Sequence, residues 1–492
     1  MSGSSRHIAI IGAGLSGLRC ADILTQNGFQ VTIFEGRDRI GGRIHQIQLK
    51  NGKYVDMGAN WIHGTNGNTI LDIANATGTS STALDDSSNS FDEFGVRFPS
   101  ANGTKYETSM WDIIGEAFEY SKQKGSEIDP SKSLLDYFKE KIPEYIPDTE
   151  AEYEKHRQIM LQMCESWGAF IGTRIARQSL KFFWLEECID GGMFPRRKST
   201  VLQLTFTVSE NLFCSGSYKK ILEYISKPVL SNPKISIRLN STVAKVSYKA
   251  AGKDTIHLML SDGEELEFDQ VVVTTPLGWL QKNKATAFEP SLPAELSNAI
   301  DAISYGCLEK ASRNAQTYRS FIQWLSPSYE PKYNPGRWPQ EAFELANLDK
   351  DDAHPTLLFY MFGEQSQLFT SELAKLNTQE EKTQLAIRFF KPYYSKLPNY
   401  SEDSAMCQPT ECLATEWLND DLAGNGSYGN FQIGLERGPE AIQTMRHGLP
   451  DQGLWIAGEH TAQYEVLGTS TGAYWSGEAV AKRIIEQESS TA

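Results

Sequence analysis

The chain has 492 residues and a formal net charge of −15, from 62 acidic and 47 basic residues. This length suits roughly two to four compact units, and 40% hydrophobic with 22% charged residues is ordinary for a globular enzyme. The acidic balance disfavours nucleic-acid binding, and the seven scattered cysteines, without a Cys-x-x-Cys pair, argue against a disulfide framework and against a bound metal.

The first informative element is a short apolar strand that leads into a glycine-rich turn. Gly12, Gly14 and Gly17 stand in Gly-x-Gly-x-x-Gly order. Such glycines permit a tight turn, close approach of the backbone to a pyrophosphate, and packing of the next helix on the strand. A second apolar strand, residues 31–34, ends at Glu35, where a carboxylate can accept ribose hydroxyls. The order of strand, turn, helix, strand and acid predicts a dinucleotide site.

The residues after this acid favour FAD over NAD. Arg37 follows closely, and Gly42 and Arg43 come shortly after it. Glycine allows the backbone a second close approach, and an arginine guanidinium can bind the pyrophosphate. A nicotinamide site does not need this second contact, so an NAD-dependent dehydrogenase is kept only as an alternative.

Residues 35–43, 56–64, 454–461 and 468–477 form separated blocks of a shared pattern. These blocks resemble the flavin-containing amine oxidases, and the Trp-Ile-His-Gly form of residues 61–64 is most similar to the polyamine and spermine oxidase branch. They occur in family order over nearly the whole chain, so the resemblance covers more than the cofactor motif.

The resemblance implies an α/β fold with a discontinuous Rossmann-like FAD-binding domain and a mixed α+β substrate-binding domain. The FAD-binding domain would comprise residues 1–85, 195–290 and 415–492, and the substrate-binding domain residues 86–194 and 291–414. Apolar residues three and four apart predict helices between residues 108 and 180. A strand meander is predicted over residues 235–239, 243–248, 256–260 and 267–274.

The activity that the resemblance implies is oxidation of an amine, preferably a polyamine or N-acetylpolyamine. The cofactor takes a hydride from the carbon next to nitrogen, and water hydrolyses the resulting iminium to an aldehyde and an amine. Oxygen then reoxidises the cofactor and forms hydrogen peroxide. The expected partners are a small-molecule amine and O2, and we expect a monomer or homodimer. A monoamine or specialised amine-containing metabolite as substrate, and a non-catalytic flavoprotein, are the alternatives.

The family pattern assigns cofactor contacts to the glycine turn, the ribose acid and the later blocks. In the family, the valine matching Val243 contacts the adenine, and residues 468–472 open a helix whose amides face the flavin. The covalent attachment loop of monoamine oxidases has no cysteine counterpart near residues 430–455, so we predict non-covalent FAD. The predicted FAD contacts are Gly12, Gly14, Gly17, Glu35, Arg37, Gly42, Arg43, Gly58, Ala59, Val243, Trp417, Gly458, Glu459 and Thr469.

Two side chains are the candidate catalytic residues. Lys310 resembles the family lysine that holds a water against the flavin, where a cation would help oxygen activation. His63 resembles the histidine near the substrate nitrogens in polyamine oxidases, and it would favour an amine as acceptor or bind it through water. An ordinary surface lysine and a histidine with only a hydrogen-bonding role are the alternatives.

Aromatic side chains flank the substrate nitrogen in the family, where they suit a cationic amine. Glu187, beside aromatic residues, is the predicted acid for long polyamines, together with its neighbour Glu186. Core packing of the aromatic residues and a solvated pair of acids are the alternatives. The predicted substrate contacts are Trp61, His63, Glu187, Trp417, Tyr428 and Tyr464.

The segment after Lys310 departs from the family pattern. The family continues there into an apolar strand, whereas residues 311–320 are polar and lack alternation with a period of two. We therefore expect the strand to be displaced or this part of the substrate-binding domain to be rebuilt, with consequences for Lys310 and for activity.

The sequence predicts no targeting signal. No apolar run approaches the roughly 18 residues of a membrane span. The first residues lack a hydrophobic signal core, and the last residues are not of the Ser-Lys-Leu type. We expect a cytoplasmic protein without membrane contact.

Overall fold

The computed structural model describes residues 6–83, 89–149, 151–186, 211–249, 255–314, 321–348, 351–409 and 411–491. Its α-helices are α1 Leu15–Gln26, α2 Thr69–Ala76, α3 Ser100–Lys124, α4 Leu134–Tyr145, α5 Tyr153–Ile171, α6 Lys219–Leu230, α7 Leu277–Ala287, α8 Ala294–Ala302, α9 Gly363–Leu373, α10 Gln379–Tyr394, α11 Gly438–His447 and α12 Ser470–Thr491.

The β-strands pair into several sheets, and they are numbered in chain order. They are β1 His7–Ile11, β2 Gln30–Phe34, β3 Gln46–Gln48, β4 Tyr54–Asp56, β5 Trp61–Ile62, β6 Thr82–Ala83, β7 Asn89–Phe91, β8 Leu212–Phe213, β9 Ile235–Arg238, β10 Val243–Ser247, β11 Ile256–Leu260, β12 Glu265–Phe268, β13 Gln270–Val273, β14 Phe288–Glu289, β15 Ser304–Tyr305, β16 Leu308–Asn314, β17 Phe321–Trp324, β18 Gln340–Glu344, β19 Thr356–Phe362, β20 Cys412–Ala414, β21 Gly429–Asn430 and β22 Leu454–Ile456.

A parallel sheet carries the glycine-rich turn. Within the described residues it has five strands in the order β22-β13-β1-β2-β9, and every neighbouring pair is parallel. Ile8 and Ile10 of β1 pack in one hydrophobic cluster, while Ala9 and Ile11 pack in another. Both faces of the sheet are therefore covered, as a parallel sheet requires. The β1–α1–β2 unit predicted from the sequence is present.

The predicted meander is wrong in its connectivity. Strands β10, β11 and β12 do form an antiparallel run, but β9 and β13 belong to the parallel sheet. The expected strand over residues 267–274 is broken at Asp269, whose Oδ2 accepts the His7 backbone N–H at 2.7 Å. All four residues of β13 are buried, which suits a two-sided parallel strand better than the half-exposed strand of a meander.

A second sheet contains the segment whose pattern departs from the family. It has six strands among the described residues, in the order β20-β16-β19-β18-β17-β7. Strand β16 pairs with β19 without interruption from Leu308 to Asn314, so a strand does follow Lys310 as far as Asn314. Residues 315–320 lie outside the described residues.

Polar residues of β16 are buried. Glu309 is 0% exposed and Lys310 6%, and Ser312, in the described part of the polar segment, is 4% exposed. Such burial must be compensated by hydrogen bonds or ions, and a buried polar residue interrupts the alternation that identifies a strand.

Helices α3, α4 and α5 enclose a separate hydrophobic cluster. Phe118 stacks on Phe183 with ring centroids 4.4 Å apart, and Met160, Met163 and Trp167 are fully buried. Met160 and Met163 therefore belong to the hydrophobic core. Among the helices of the described segments, none combines the length and the hydropathy needed to cross a membrane.

The strands of the two main sheets come from different parts of the chain. Those of the parallel sheet lie within the segments assigned to the FAD-binding domain, and those of the six-stranded sheet lie within the segments assigned to the substrate-binding domain. The exact domain boundaries stay predictions.

Candidate active site

A cavity of about 1260 Å³ runs along the carboxyl ends of the parallel strands and across one face of the six-stranded sheet. Gly12 after β1, Glu35 after β2, Thr275 after β13 and Gly458 after β22 all line it. Ligands of open parallel sheets bind at this edge, where neighbouring connections leave a crevice.

The glycine-rich turn leaves the start of α1 open. No side chain of the described residues caps this helix, so its first backbone N–H groups remain available to an anion. A Cβ atom on Gly14 would meet nothing within 4 Å. Gly12, with φ +111°, adopts a conformation that favours glycine. The turn therefore presents bare backbone to the cavity.

Glu35 is fixed beside this turn. It is 6% exposed, and its two carboxylate oxygens accept the backbone N–H groups of Ala13 and Arg37, both at 2.9 Å. The guanidinium of Arg37 pairs with Asp420 at 2.8 Å. Glu35 is thus held as an acceptor at the cavity, as the ribose role requires, without a cation bound to it among the described residues.

Buried polar atoms without partners mark the next part of the cavity. Arg43 donates to Glu459 Oε1 at 3.1 Å and to the Ser427 carbonyl. In the described part of the chain, Glu459 Oε2, Ser427 Oγ and Thr275 Oγ1 are buried without a hydrogen-bond partner. All three residues line the cavity. Because such atoms are costly to leave unpaired, this wall fits a ligand rich in hydroxyl and phosphate groups.

Lys310 lies deep in the same cavity. Its ammonium donates to the Gly58 carbonyl and lies 5.6 Å from the centre of the Tyr360 ring. Burial lowers the pKa of Lys310 to about 7, although Asp56 opposes this shift. Burial also raises the pKa of Asp56. The lysine can therefore exchange a proton near neutral pH.

His63 lines the cavity beside the same wall. Its Nδ1 lies 3.2 Å from Asn211 Oδ1, so that nitrogen donates and Nε2 is left as the acceptor. Burial lowers the pKa of His63. A neutral imidazole is therefore favoured, which suits a hydrogen bond to an amine or a water.

Aromatic side chains line the same cavity. The Tyr360 hydroxyl accepts hydrogen bonds from Trp61 Nε1 at 3.1 Å and from Asn60 Nδ2 at 2.9 Å. Trp417 donates to the Met57 carbonyl at 3.3 Å, and Tyr428 donates to the Phe170 carbonyl. The polar atoms of these side chains thus form hydrogen bonds within the protein, and the rings line the cavity.

Comparison with known proteins agrees with this geometry. Residues 15–485 match the model of the flavin containing amine oxidoreductases. The chain belongs to this family. It is therefore a flavin-dependent amine oxidoreductase, with the family's mixed α/β two-domain fold, and its cofactor is FAD.

Several curated relatives match over nearly their full length. Polyamine oxidase 4 of Oryza sativa subsp. japonica is 27% identical over 99% of this chain and 90% of its own length. Probable polyamine oxidase 4 of Arabidopsis thaliana is 27% identical over 96% and 85%. The corticosteroid-binding protein of Candida albicans is 25% identical over 98% and 96%.

Most residues that the sequence assigned to this family site line one cavity. They are Gly12, Gly14, Glu35, Arg37, Gly42, Arg43, Gly58, Ala59, Trp61, His63, Val243, Lys310, Trp417, Tyr428, Gly458, Glu459 and Thr469. Two others lie away from the cavity lining. Gly17 packs against β1, because a Cβ there would be 2.0 Å from the Gly12 carbonyl oxygen. Tyr464 packs edge-on against Trp184 and bonds to Gln443. Glu187 lies outside the described residues.

Glu186 does line the cavity, contrary to the alternative of a solvated acid. It accepts the Phe431 backbone N–H at 3.3 Å and Gln178 Nε2 at 3.4 Å. Burial raises its pKa to about 7.

The sequence reasoning missed several residues of the site. Thr275 and Ser427 supply hydroxyls that have no hydrogen-bond partner among the described residues, and Tyr360, Glu341 and Gln323 line the cavity from the six-stranded sheet. The position of Thr275 directly after an apolar strand could have identified it. Glu341 and Gln323 give no such signal, because a polar residue in a short strand is usually exposed.

Proposed function

We propose that this chain oxidises a polyamine or an N-acetylpolyamine with oxygen and releases hydrogen peroxide. The observation that carries the proposal is that one cavity is lined by the bare glycine turn, by Lys310 and by the carboxyl groups of Glu186 and Glu341. The glycine turn suits a dinucleotide, and the acids suit a cation. The names of the plant relatives support the same substrate class.

The cofactor contacts follow from the open donors and acceptors of the cavity. The uncapped α1 amides would receive the pyrophosphate, Glu35 the adenosine ribose, and Glu459 with Ser427 the hydroxyls of the remaining chain. Bound FAD supplies the oxidant that accepts a hydride from the carbon next to nitrogen. None of the described cysteines lines the cavity, which supports non-covalent binding.

The remaining side chains would position the amine. Trp61, Tyr360 and Trp417 enclose the space in front of Lys310 and exclude bulk water, which strengthens each polar interaction there. His63 Nε2 would accept a hydrogen bond from the amine. Lys310 would hold a water molecule through its Nζ atom and accept a proton when neutral.

Strand β16 weakens the alternative of a non-catalytic protein. That alternative rested on a broken strand after Lys310, whereas β16 pairs with β19 as far as Asn314. A monoamine or specialised amine as substrate, a cytoplasmic location, and a monomer or homodimer stay predictions.

Product analysis tests the proposed activity. The purified holoenzyme is incubated in air with spermine, spermidine, N-acetylspermine, a monoamine and an L-amino acid. We expect oxygen uptake with equal release of peroxide, and an aldehyde plus a shorter amine, from a polyamine in preference to the others. Preference for the monoamine, or no oxygen uptake with any amine, would contradict the proposal.

Replacing His63 with alanine should weaken polyamine turnover more than FAD retention. The imidazole faces the cavity but bonds to Asn211, so its loss removes an acceptor for the substrate. We expect kcat/KM to fall by about 10- to 100-fold, as for a lost hydrogen bond to a charged group. The flavin absorbance per protein should be unchanged. Loss of FAD as the main effect would assign His63 a structural role.

A further inference from the structure

A row of polar side chains crosses the six-stranded sheet on the face that lines the cavity. In register, Lys310 on β16 pairs with Tyr360 on β19, Tyr360 pairs with Glu341 on β18, and Glu341 pairs with Gln323 on β17. All four line the cavity. Neighbouring strands lie about 4.8 Å apart, so Glu341 stands two strand spacings, about 10 Å, from Lys310.

Glu341 is a buried carboxyl with little support from the protein. It is 1% exposed, and Gln323 Nε2 donates to its Oε1 at 3.2 Å. Among the described residues, no lysine or arginine forms an ion pair with it. Burial raises the pKa of Glu341 to about 8, and the nearby acid Glu107 acts in the same direction.

A second buried acid of the same sheet, Glu309, receives more hydrogen bonds from the described part of the protein than Glu341 does. Glu309 is 0% exposed, but its carboxylate receives the Leu418 backbone N–H at 2.8 Å and the Thr415 hydroxyl. Glu309 holds a turn of the protein, whereas Glu341 faces the cavity and has one neutral side-chain donor, Gln323, among the described residues. A buried carboxylate is stabilised by a cation that reaches it, and the cavity gives a ligand access.

We propose that Glu341, supported by Gln323, binds a second ammonium group of a diamine or polyamine whose reacting nitrogen lies near Lys310. This inference rests on the proposed function. The separation of about 10 Å between strand positions is spanned by a chain of several methylene groups, and the Tyr360 ring between them offers a face for that chain. A monoamine cannot make the second contact.

The test compares wild-type holoenzyme with Glu341→Gln, which keeps the shape and removes the charge. The matched control is Glu344→Gln, since Glu344 is 1% exposed in the same strand and is absent from the cavity lining. Anaerobic calorimetry on the dithionite-reduced holoenzyme, which cannot oxidise an amine, measures the affinity for spermidine and for n-octylamine, and steady-state kinetics in air measures kcat/KM for both. For Glu341→Gln we expect spermidine affinity and kcat/KM to fall by about 10- to 100-fold, with n-octylamine unchanged. Glu344→Gln should preserve the ratio between the two amines.

Unchanged spermidine affinity in Glu341→Gln, or an equal loss for both amines, would overturn the inference. A wild-type protein that binds spermidine but oxidises no amine would contradict the proposed function, while the affinity comparison would still decide the role of Glu341.

A second variant covers the case in which Glu341→Gln does not retain FAD. Glu341→Asp keeps the charge but withdraws it by one methylene group. Across diamines of increasing length, we expect the best-bound chain to be about one methylene longer than for wild type. An unchanged length preference would overturn the inference.

Discussion

Replacing Lys310 with methionine is expected to slow amine-dependent bleaching of the bound FAD, or its recovery in air, by about 10²- to 10³-fold, the size of effect seen when one preorganised polar group is lost from an active site. Methionine is similar in length and carries no charge. Stopped-flow absorbance measures the two rates separately.

The structure gives the reason for this effect. The Lys310 ammonium is buried at the cavity, donates to the Gly58 carbonyl and lies near Asp56. Since burial disfavours its charged form, replacing it by a neutral side chain removes an unfavourable term, and folding should not suffer. The loss should therefore be one of rate.

The pH dependence should identify the same group. Burial lowers the pKa of Lys310 to about 7, so the ammonium form predominates below this pH and the neutral amine above it. Only the neutral amine has a lone pair to accept a proton. We expect the wild-type bleaching rate to rise as the pH is raised through about 7, and Lys310→Met to lack this rise.

A control variant distinguishes the loss of the active-site lysine from the loss of a largely buried lysine elsewhere. Lys284 has a side chain 13% exposed and pairs with Asp301 away from the cavity, so Lys284→Met should leave both rates unchanged. Unchanged bleaching and recovery rates in Lys310→Met would remove this lysine from the mechanism.

Replacing Gly14 or Gly17 of the same turn with alanine should have different effects, on FAD binding for Gly14 and on folding stability for Gly17. A Cβ on Gly17 would lie 2.0 Å from the Gly12 carbonyl oxygen and 3.2 Å from Ile10 Cγ2. Gly17→Ala therefore forces α1 away from β1, and overpacking of this kind costs about 1–3 kcal/mol or more. Gly14 has φ −76° and open space around its Cβ position, so Gly14→Ala should fold normally.

The two variants should differ in whether FAD affinity or the stability of the apoprotein is reduced. In Gly14→Ala the new methyl group projects where the pyrophosphate approaches, and we expect FAD to bind at least about 10-fold more weakly with the apoprotein's thermal midpoint unchanged. In Gly17→Ala the midpoint of the apoprotein should fall. Circular dichroism of the apoproteins and FAD titration measure the two quantities. Equal midpoints for Gly17→Ala and wild type would contradict the packing role.

The cofactor half of the site could be predicted from the sequence because its residues are held by local rules. The turn at Gly12 and Gly14, the acid Glu35 and the Gly42–Arg43 pair each follow a strand or turn that the pattern identifies. Their positions depend on contacts within a few dozen residues, and all of them line the cavity.

The substrate half depends on strands that are distant in sequence. Three strand pairings, β16 with β19, β19 with β18 and β18 with β17, bring together Lys310, Tyr360, Glu341 and Gln323. Their strands bury polar side chains, so the alternation that identifies a strand is missing. The ring of Tyr464 packs against Trp184 rather than lining the cavity. Closeness in sequence to a cofactor block does not fix the direction of a side chain.

The most direct test is an anaerobic titration of the purified protein with polyamines, followed by the visible absorbance of its flavin. We predict that spermine, spermidine or N-acetylspermine bleaches the flavin band, and that air restores it with release of peroxide. A flavin that no amine bleaches would contradict the assignment of this cavity as an amine-oxidising site.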